Sequence, residues 1–108
     1  MGREQRRIVV EYGRGATFVT FVDERILDDE QIRQLQESFE PVIERNDDGE
    51  MVLNFVNVEF MSSAVLGLLV RVYKRISERG GRLKLVNLDP GLRKVFQITQ
   101  LDKIIEVS

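Results

Sequence analysis

The chain reads as a single α/β domain of ββαβαβαβ order, a mixed central sheet with helices packed against it. Three observations predict this. A short β-branched run ends at Gly13-Arg14-Gly15 and a second such run follows at once, as in an antiparallel hairpin. Beyond it, segments of helical period alternate with short apolar strands, the pattern of strands joined by helices. Finally, 108 residues without a linker, repeat or low-complexity tract suit one core.

Ile8-Val9-Val10-Glu11-Tyr12 is the first strand, and Ala16 to Val22, with Phe18 and Phe21 among β-branched residues, is its hairpin partner. Asp28 is placed to cap a helix, and Gln31 three residues on completes a capping box. Ile32, Leu35, Phe39 and Ile43 follow at helical spacing, so the helix runs from about Asp29 into the forties, with Pro41 expected to kink or end it. Asn46-Asp47-Asp48-Gly49 is a turn, and Met51-Val52-Leu53-Asn54-Phe55 a central strand expected to be covered on both faces. After a short connection, a second helix spans Ser63 to Arg79 and stops at Gly80-Gly81, which suit a left-handed cap. Arg82 to Leu88 alternates as a strand. Asp89-Pro90 caps and opens a third helix with Leu92, Val95 and Phe96 on one stripe, and Lys103 to Val107 is a final strand.

Composition narrows the function. Sixteen basic and 18 acidic residues leave a net charge of −2, which gives no general attraction for nucleic acid or an anionic membrane. Residues 1–7 are locally basic, but Glu4 interrupts them; they read as a flexible N-terminus ahead of a domain spanning 8–108. Met1-Gly2 hints at myristoylation, yet Arg6 stands where that motif wants Ser or Thr. No apolar run approaches a membrane span and no signal-peptide pattern opens the chain, so a cytoplasmic protein is expected. Cysteine and histidine are both absent, which removes thiolate chemistry, disulfides and the usual general base and metal ligand. Carboxylates cluster at Asp28-Asp29-Glu30, and Glu59 lies near the serines, but no nucleophile elbow, phosphate loop or metal spacing accompanies them. Gly13-Arg14-Gly15 is too short for a nucleotide loop. No cofactor, metal, small-molecule ligand or catalytic residue is expected.

What remains is the run Glu59-Phe60-Met61-Ser62-Ser63-Ala64-Val65-Leu66-Gly67. At about 100° per residue, Val65, Leu69, Val72, Tyr73 and Ile76 share the core face of the second helix. Ser63, Gly67, Val70 and Lys74 form a line that faces outward. Ser62 stands just before the helix, where its hydroxyl would cap the first turn for about 1 kcal/mol. Gly67 costs the helix roughly 1 kcal/mol relative to alanine, which suggests that something packs closely over it. A partner could do so; so could another part of the same fold. A phosphate on Ser63 would add nearly two negative charges beside the free amides of the helix start. The domain would tolerate that charge; a partner seated on Gly67 and Val70 would have to bury it.

The motif Phe60-Met61-Ser62-Ser63, with Leu66-Gly67, Tyr73-Lys74, Gly80-Gly81, Leu88-Asp89-Pro90 through Phe96 and Leu101-Asp102-Lys103-Ile104-Ile105, resembles the STAS domain of bacterial anti-sigma-factor antagonists. The resemblance runs from about Ile8 to Val107, and Leu27-Asp28 is similar to the family's entrance to its first helix. It implies a STAS-like fold and a partner-switching role without enzymatic activity. A serine at the position of Ser63 (less readily Ser62) is phosphorylated by an ATP-dependent anti-sigma factor that is itself a serine kinase. The unphosphorylated form binds that partner and frees the sigma factor, so transcription is regulated indirectly. The implied docking surface takes in Asp28, Ser62, Ser63, Gly67, Val70 and Lys74. Two positions depart from the pattern: Ser62 replaces an acidic residue, and Val65 replaces a glycine. The alternative is a STAS scaffold that binds protein partners without phosphorylation.

Overall fold

The computed structural model describes residues 7–108. Strand β1 (Ile8–Gly13) and strand β2 (Ala16–Phe21) form the expected hairpin, with Gly15 in the left-handed region at φ 66°. Two-residue strand β3 (Arg25–Ile26) leads into helix α1 (Asp29–Asn46), then come β4 (Glu50–Asn54), two-residue β5 (Phe60–Met61) and helix α2 (Ser63–Glu78). Strand β6 (Arg82–Val86), helix α3 (Pro90–Ile98), a single 3-10 turn at Leu101–Lys103 and strand β7 (Glu106–Val107) complete the chain.

The main sheet has the order β1-β2-β4-β6-β7; only the β1-β2 pair is antiparallel. Burial alternates along its strands. Val19, Phe21, Met51, Leu53, Leu83 and Leu85 are buried and face one continuous core with Leu35, Phe39, Val65, Leu69, Ile76 and Phe96 of the helices. The intervening side chains, Phe18, Val52 and Val86 among them, are at best half-buried and lie outside that core. Each crossover joins adjacent parallel strands in the same sense, so the right-handed rule sends all three helices to one face. The shortest extent of the molecule is 20 Å, about one sheet and one helix layer.

Several expectations are corrected here. Strand β4 is central but covered on one face only, because the helices pack against Met51 and Leu53 and leave Val52 and Asn54 half-exposed on the other. The last strand is just Glu106–Val107, the preceding residues being spent on the 3-10 turn. Helix α1 runs past Pro41 to Asn46; Pro41 and Glu37 are both exposed, so the carbonyl that loses its amide partner lies on the water side. Residues 1–6 of the terminus expected to be flexible lie outside the described residues. Arg7, grouped with them, is anchored: it pairs with Asp23 at 3.0 Å, donates to Gln34 Oε1 at 2.8 Å, and its carbonyl accepts from the Val22 amide.

The end of α2 shows how sequence sets a boundary. The Gly80 amide donates to the Ser77 carbonyl and the Gly81 amide to that of Ile76, the paired bonds of a Schellman motif. Gly80 takes φ 82°, as this motif requires. Gly81 serves a different need: a Cβ there would lie 2.5 Å from the Gly49 carbonyl oxygen.

Candidate functional site

The site is assembled by a two-strand sheet that the sequence does not announce. Strands β3 and β5 pair in parallel, Arg25 with Phe60 and Ile26 with Met61. The Ser62 amide donates to the Ile26 carbonyl at 3.0 Å, and the amides of Glu59 and Phe60 both donate to that of Glu24. That bond from Ser62 places the Ser62 backbone against Ile26, and each strand then leads directly into the start of its helix, through Leu27-Asp28 on one side and Ser62-Ser63 on the other. Ile26 and Val58 are buried there, and Asn57 Nδ2 donates to the Phe21 carbonyl at 2.9 Å, tying the connection to the end of β2.

Asp28 occupies the N-cap of α1 as expected. Its Oδ1 accepts from the Gln31 amide at 2.8 Å, while Gln31 Oε1 accepts from the amides of Asp28 at 3.2 Å and Leu27 at 2.9 Å. Gln31 Nε2 then donates to the Arg25 carbonyl, coupling the cap to β3.

Ser62 does not cap α2 in the way expected. Its backbone has N-cap geometry (φ −84°, ψ 165°), but its side chain makes no cap hydrogen bond, and Oγ is buried without a partner. The Val65 amide turns instead to the Ser62 carbonyl at 3.0 Å, a tight first turn. The amides of Ser63 and Ala64 have no carbonyl one turn back and do not donate to Ser62 Oγ. Ser63, the first residue of the helix, is exposed.

Along the outward line, Gly67 and Lys74 are exposed, whereas Val70 is half-buried and so belongs to the flank of the helix. A Cβ at Gly67 would meet nothing nearer than Arg71 Nη1 at 3.9 Å. No other part of the described chain needs the glycine for room. Tyr73, expected on the core face, is also only half-buried, and Leu68 takes the buried place. Two exposed apolar side chains that sequence reasoning left unassigned flank the serines: Leu27, 47% exposed, and Phe60, 48% exposed. The Arg25 guanidinium lies 4.9 Å from the centre of the Phe60 ring. Two-residue strands are too short for a period to be read; the β3-β5 pairing sets Phe60 beside Arg25, and Leu27 follows directly after β3. Met61, Ser62, Ser63, Leu66 and Val95 line a shallow groove of about 210 Å³ between the start of α2 and α3.

The surroundings are acidic. A hydrogen bond with Glu24 and the charges of Glu24 and Asp89 raise the Glu59 carboxyl above its ordinary value, while Arg25 opposes them. Among the described residues, no group of acids is placed to hold a metal ion and no helix is long and apolar enough to cross a membrane. The arrangement offers an exposed hydroxyl at a helix start, an apolar rim and an acidic margin, which suits protein contact and modification.

The STAS domain family matches residues 8–108, nearly the whole chain. The chain belongs to the STAS-domain family. An anti-sigma-B factor antagonist of Bacillus subtilis is 38% identical over 74 residues, which span 68% of this chain and 66% of that one. An anti-sigma F factor antagonist of Paenibacillus polymyxa is 27% identical over 101 residues, 94% of this chain and 85% of the relative. Among solved structures, an anti-sigma-factor antagonist (STAS) domain protein from Planctomyces limnophilus superposes with a TM-score of 0.84 at 25% identity, covering 93% of this chain and 87% of that one. The STAS domain of this chain is thus similar to bacterial anti-sigma-factor antagonists, a family that is generally non-enzymatic.

Proposed function

We propose that this chain is an anti-sigma-factor antagonist that binds an anti-sigma factor with serine kinase activity and is released by phosphorylation at Ser63. The observation that carries this reading is the contrast between the serines: Ser63 is exposed, whereas Ser62 Oγ is buried. A kinase meets one hydroxyl. Around it, Leu27, Phe60 and the open flank of Gly67 give a partner apolar contact and a place for close backbone approach. Asp28 fixes the Leu27 loop through its cap on α1, and Lys74 sits further along α2.

Phosphorylation would act through charge. The phosphate would sit beside the amides of Ser63 and Ala64 and the positive end of α2, which the domain accommodates. A partner packed over the same turn would have to desolvate it, and burying an uncompensated charge costs several kcal/mol. The chain is the substrate in this scheme, acting in the cytoplasm and on transcription only indirectly.

A second reading, a scaffold that binds partners without phosphorylation, is favoured by one observation. Val65 is fully buried and stiffens the turn where the family's pattern has glycine. One experiment separates the two: incubation with the cognate kinase and ATP, phosphate mapping by mass spectrometry, and binding measured in parallel. The switch requires that Ser63→Ala abolish modification, that Ser62→Ala leave it intact, and that Ser63→Glu weaken binding about 100-fold or more. Partner binding with no phosphate transfer points to the scaffold, and full-strength binding by Ser63→Glu removes the charge mechanism.

A further inference from the structure

We propose that the open face of the main sheet is the interface of a two-fold homodimer. No helix covers this face, and it carries exposed apolar side chains, Val9 at 51% and Phe18 at 45%. Its residues form rows across the strands. One row reads Glu11, Phe18, Val52, Lys84 from β1 through β6, the next reads Val9, Thr20, Asn54, Val86, and a third, at the Gly13 end, reads Gly13, Ala16, Glu50, Arg82.

The order within those rows identifies the occupant. Consider a two-fold axis running along the strands above the gap between β2 and β4. It exchanges β1 with β6 and β2 with β4, so each row meets itself reversed. Glu11 then faces Lys84 of the second copy, Phe18 faces Val52, Val9 faces Val86 and Thr20 faces Asn54. In these two rows charge meets opposite charge, apolar meets apolar, and a hydroxyl meets an amide, all twice over; the third row sets Glu50 over Ala16 and Arg82 over Gly13 and forms a polar margin at that end. A surface selected for an unrelated partner has no reason to complement itself, whereas an isologous interface must. The aligned packing of two twisted sheets is the ordinary way to bury such faces. β7 falls outside the overlap and leaves Glu106, which lies 4.0 Å from Lys84 within the chain, at the rim.

Four strands of about five residues give a patch of roughly 19 by 17 Å, so the two copies together cover about 650 Å², below the usual size of stable interfaces and in the range of weak, transient ones. Association is therefore expected in the micromolar range, and it leaves both Ser63 sites free because they sit on the helical side.

Sedimentation velocity of the full chain, from about 5 to 500 µM, tests this. The wild type should pass from monomer to dimer. Phe18→Asp should stay monomeric, and Glu11→Lys and Lys84→Glu should each weaken association about tenfold, since each sets like charges opposite one another twice. Mixing Glu11→Lys with Lys84→Glu should restore association, because every pair in the mixed dimer is again Glu with Lys. All three positions are at least partly exposed, and unchanged circular dichroism and Tm would show that folding is intact. A wild type that remains monomeric overturns the proposal. So does a dimer indifferent to Phe18→Asp, which would point to the β1 edge or the α2 surface, or a mixture that associates no better than its components.

Discussion

Helices α1 and α2 begin with nearly the same backbone and opposite chemistry. Asp28 and Ser62 both stand at N-caps in extended conformation, at φ −102° and −84°. Asp28 closes a capping box, and Asp29 and Glu30 place negative charge in the first turn of α1. Ser62 bonds nothing through its side chain, and the first turn of α2 carries no acid. Helix α3 resembles α1, with Asp89 accepting from the Leu92 amide at 2.9 Å. Helix α2 is thus the exception, and it carries Ser63. Its start keeps free amides and no acid beside Ser63, the place where the phosphate of the proposed switch would sit.

The largest effect should come from the completed start. Asp28→Ala should destabilise the domain by about 1–2 kcal/mol in urea unfolding, since the Gln31 amide loses its Asp28 Oδ1 acceptor while the backbone amides of Leu27 and Asp28 can still donate to Gln31 Oε1. Gly67→Ala should act in the opposite direction, stabilising by about 1 kcal/mol because the added methyl makes only an ordinary contact, with Arg71 Nη1 at 3.9 Å. If α2 is built for contact, the same change should weaken partner binding in titration calorimetry. Ser62→Asp would give α2 the cap that α1 has, and a gain of about 0.5–1 kcal/mol is expected in thermal unfolding. Ser62→Ala should change stability by less than about 0.5 kcal/mol, because no cap bond exists to lose and an unpaired hydroxyl is removed. A loss as large as that of Asp28→Ala would break the comparison.

The smallest effect is at the margin of the site. Hydrogen bonding and repulsion from Glu24 raise the Glu59 pKa in the folded state. A raised carboxyl favours the folded state fully below the ordinary value, and that advantage is lost as pH rises through the folded value. At neutral pH the pair repels. Glu59→Gln should therefore raise Tm slightly at about pH 7 and lose this advantage near pH 4, the ordinary carboxylate range.

Features within a few residues of one another were legible in the sequence. Asp28 with Gln31, Asp89 with Pro90, and Gly80 with Gly81 each specify a boundary by local chemistry. The hairpin at Gly15 and the core stripe of α2 follow from turn preference and period. What was not legible depends on distant pairing. Strands β3 and β5 are two residues each, too short for any period, yet they bring Leu27 and Asp28 to the serines. Whether Ser62 Oγ reaches an amide depends on packing around β3 and α3, which composition does not reveal. Val52 read as buried because β-branched residues favour strands on either face, so the uncovered side of the sheet was hidden until the helices were placed.

Gly67 and Gly81 look alike as letters, but variant libraries should treat them oppositely. Selection for folding alone should return only glycine at Gly81, where the Gly49 carbonyl oxygen leaves no room for a side chain. At Gly67 the same selection should enrich alanine, and any retention of glycine in natural populations would then record a pressure other than folding.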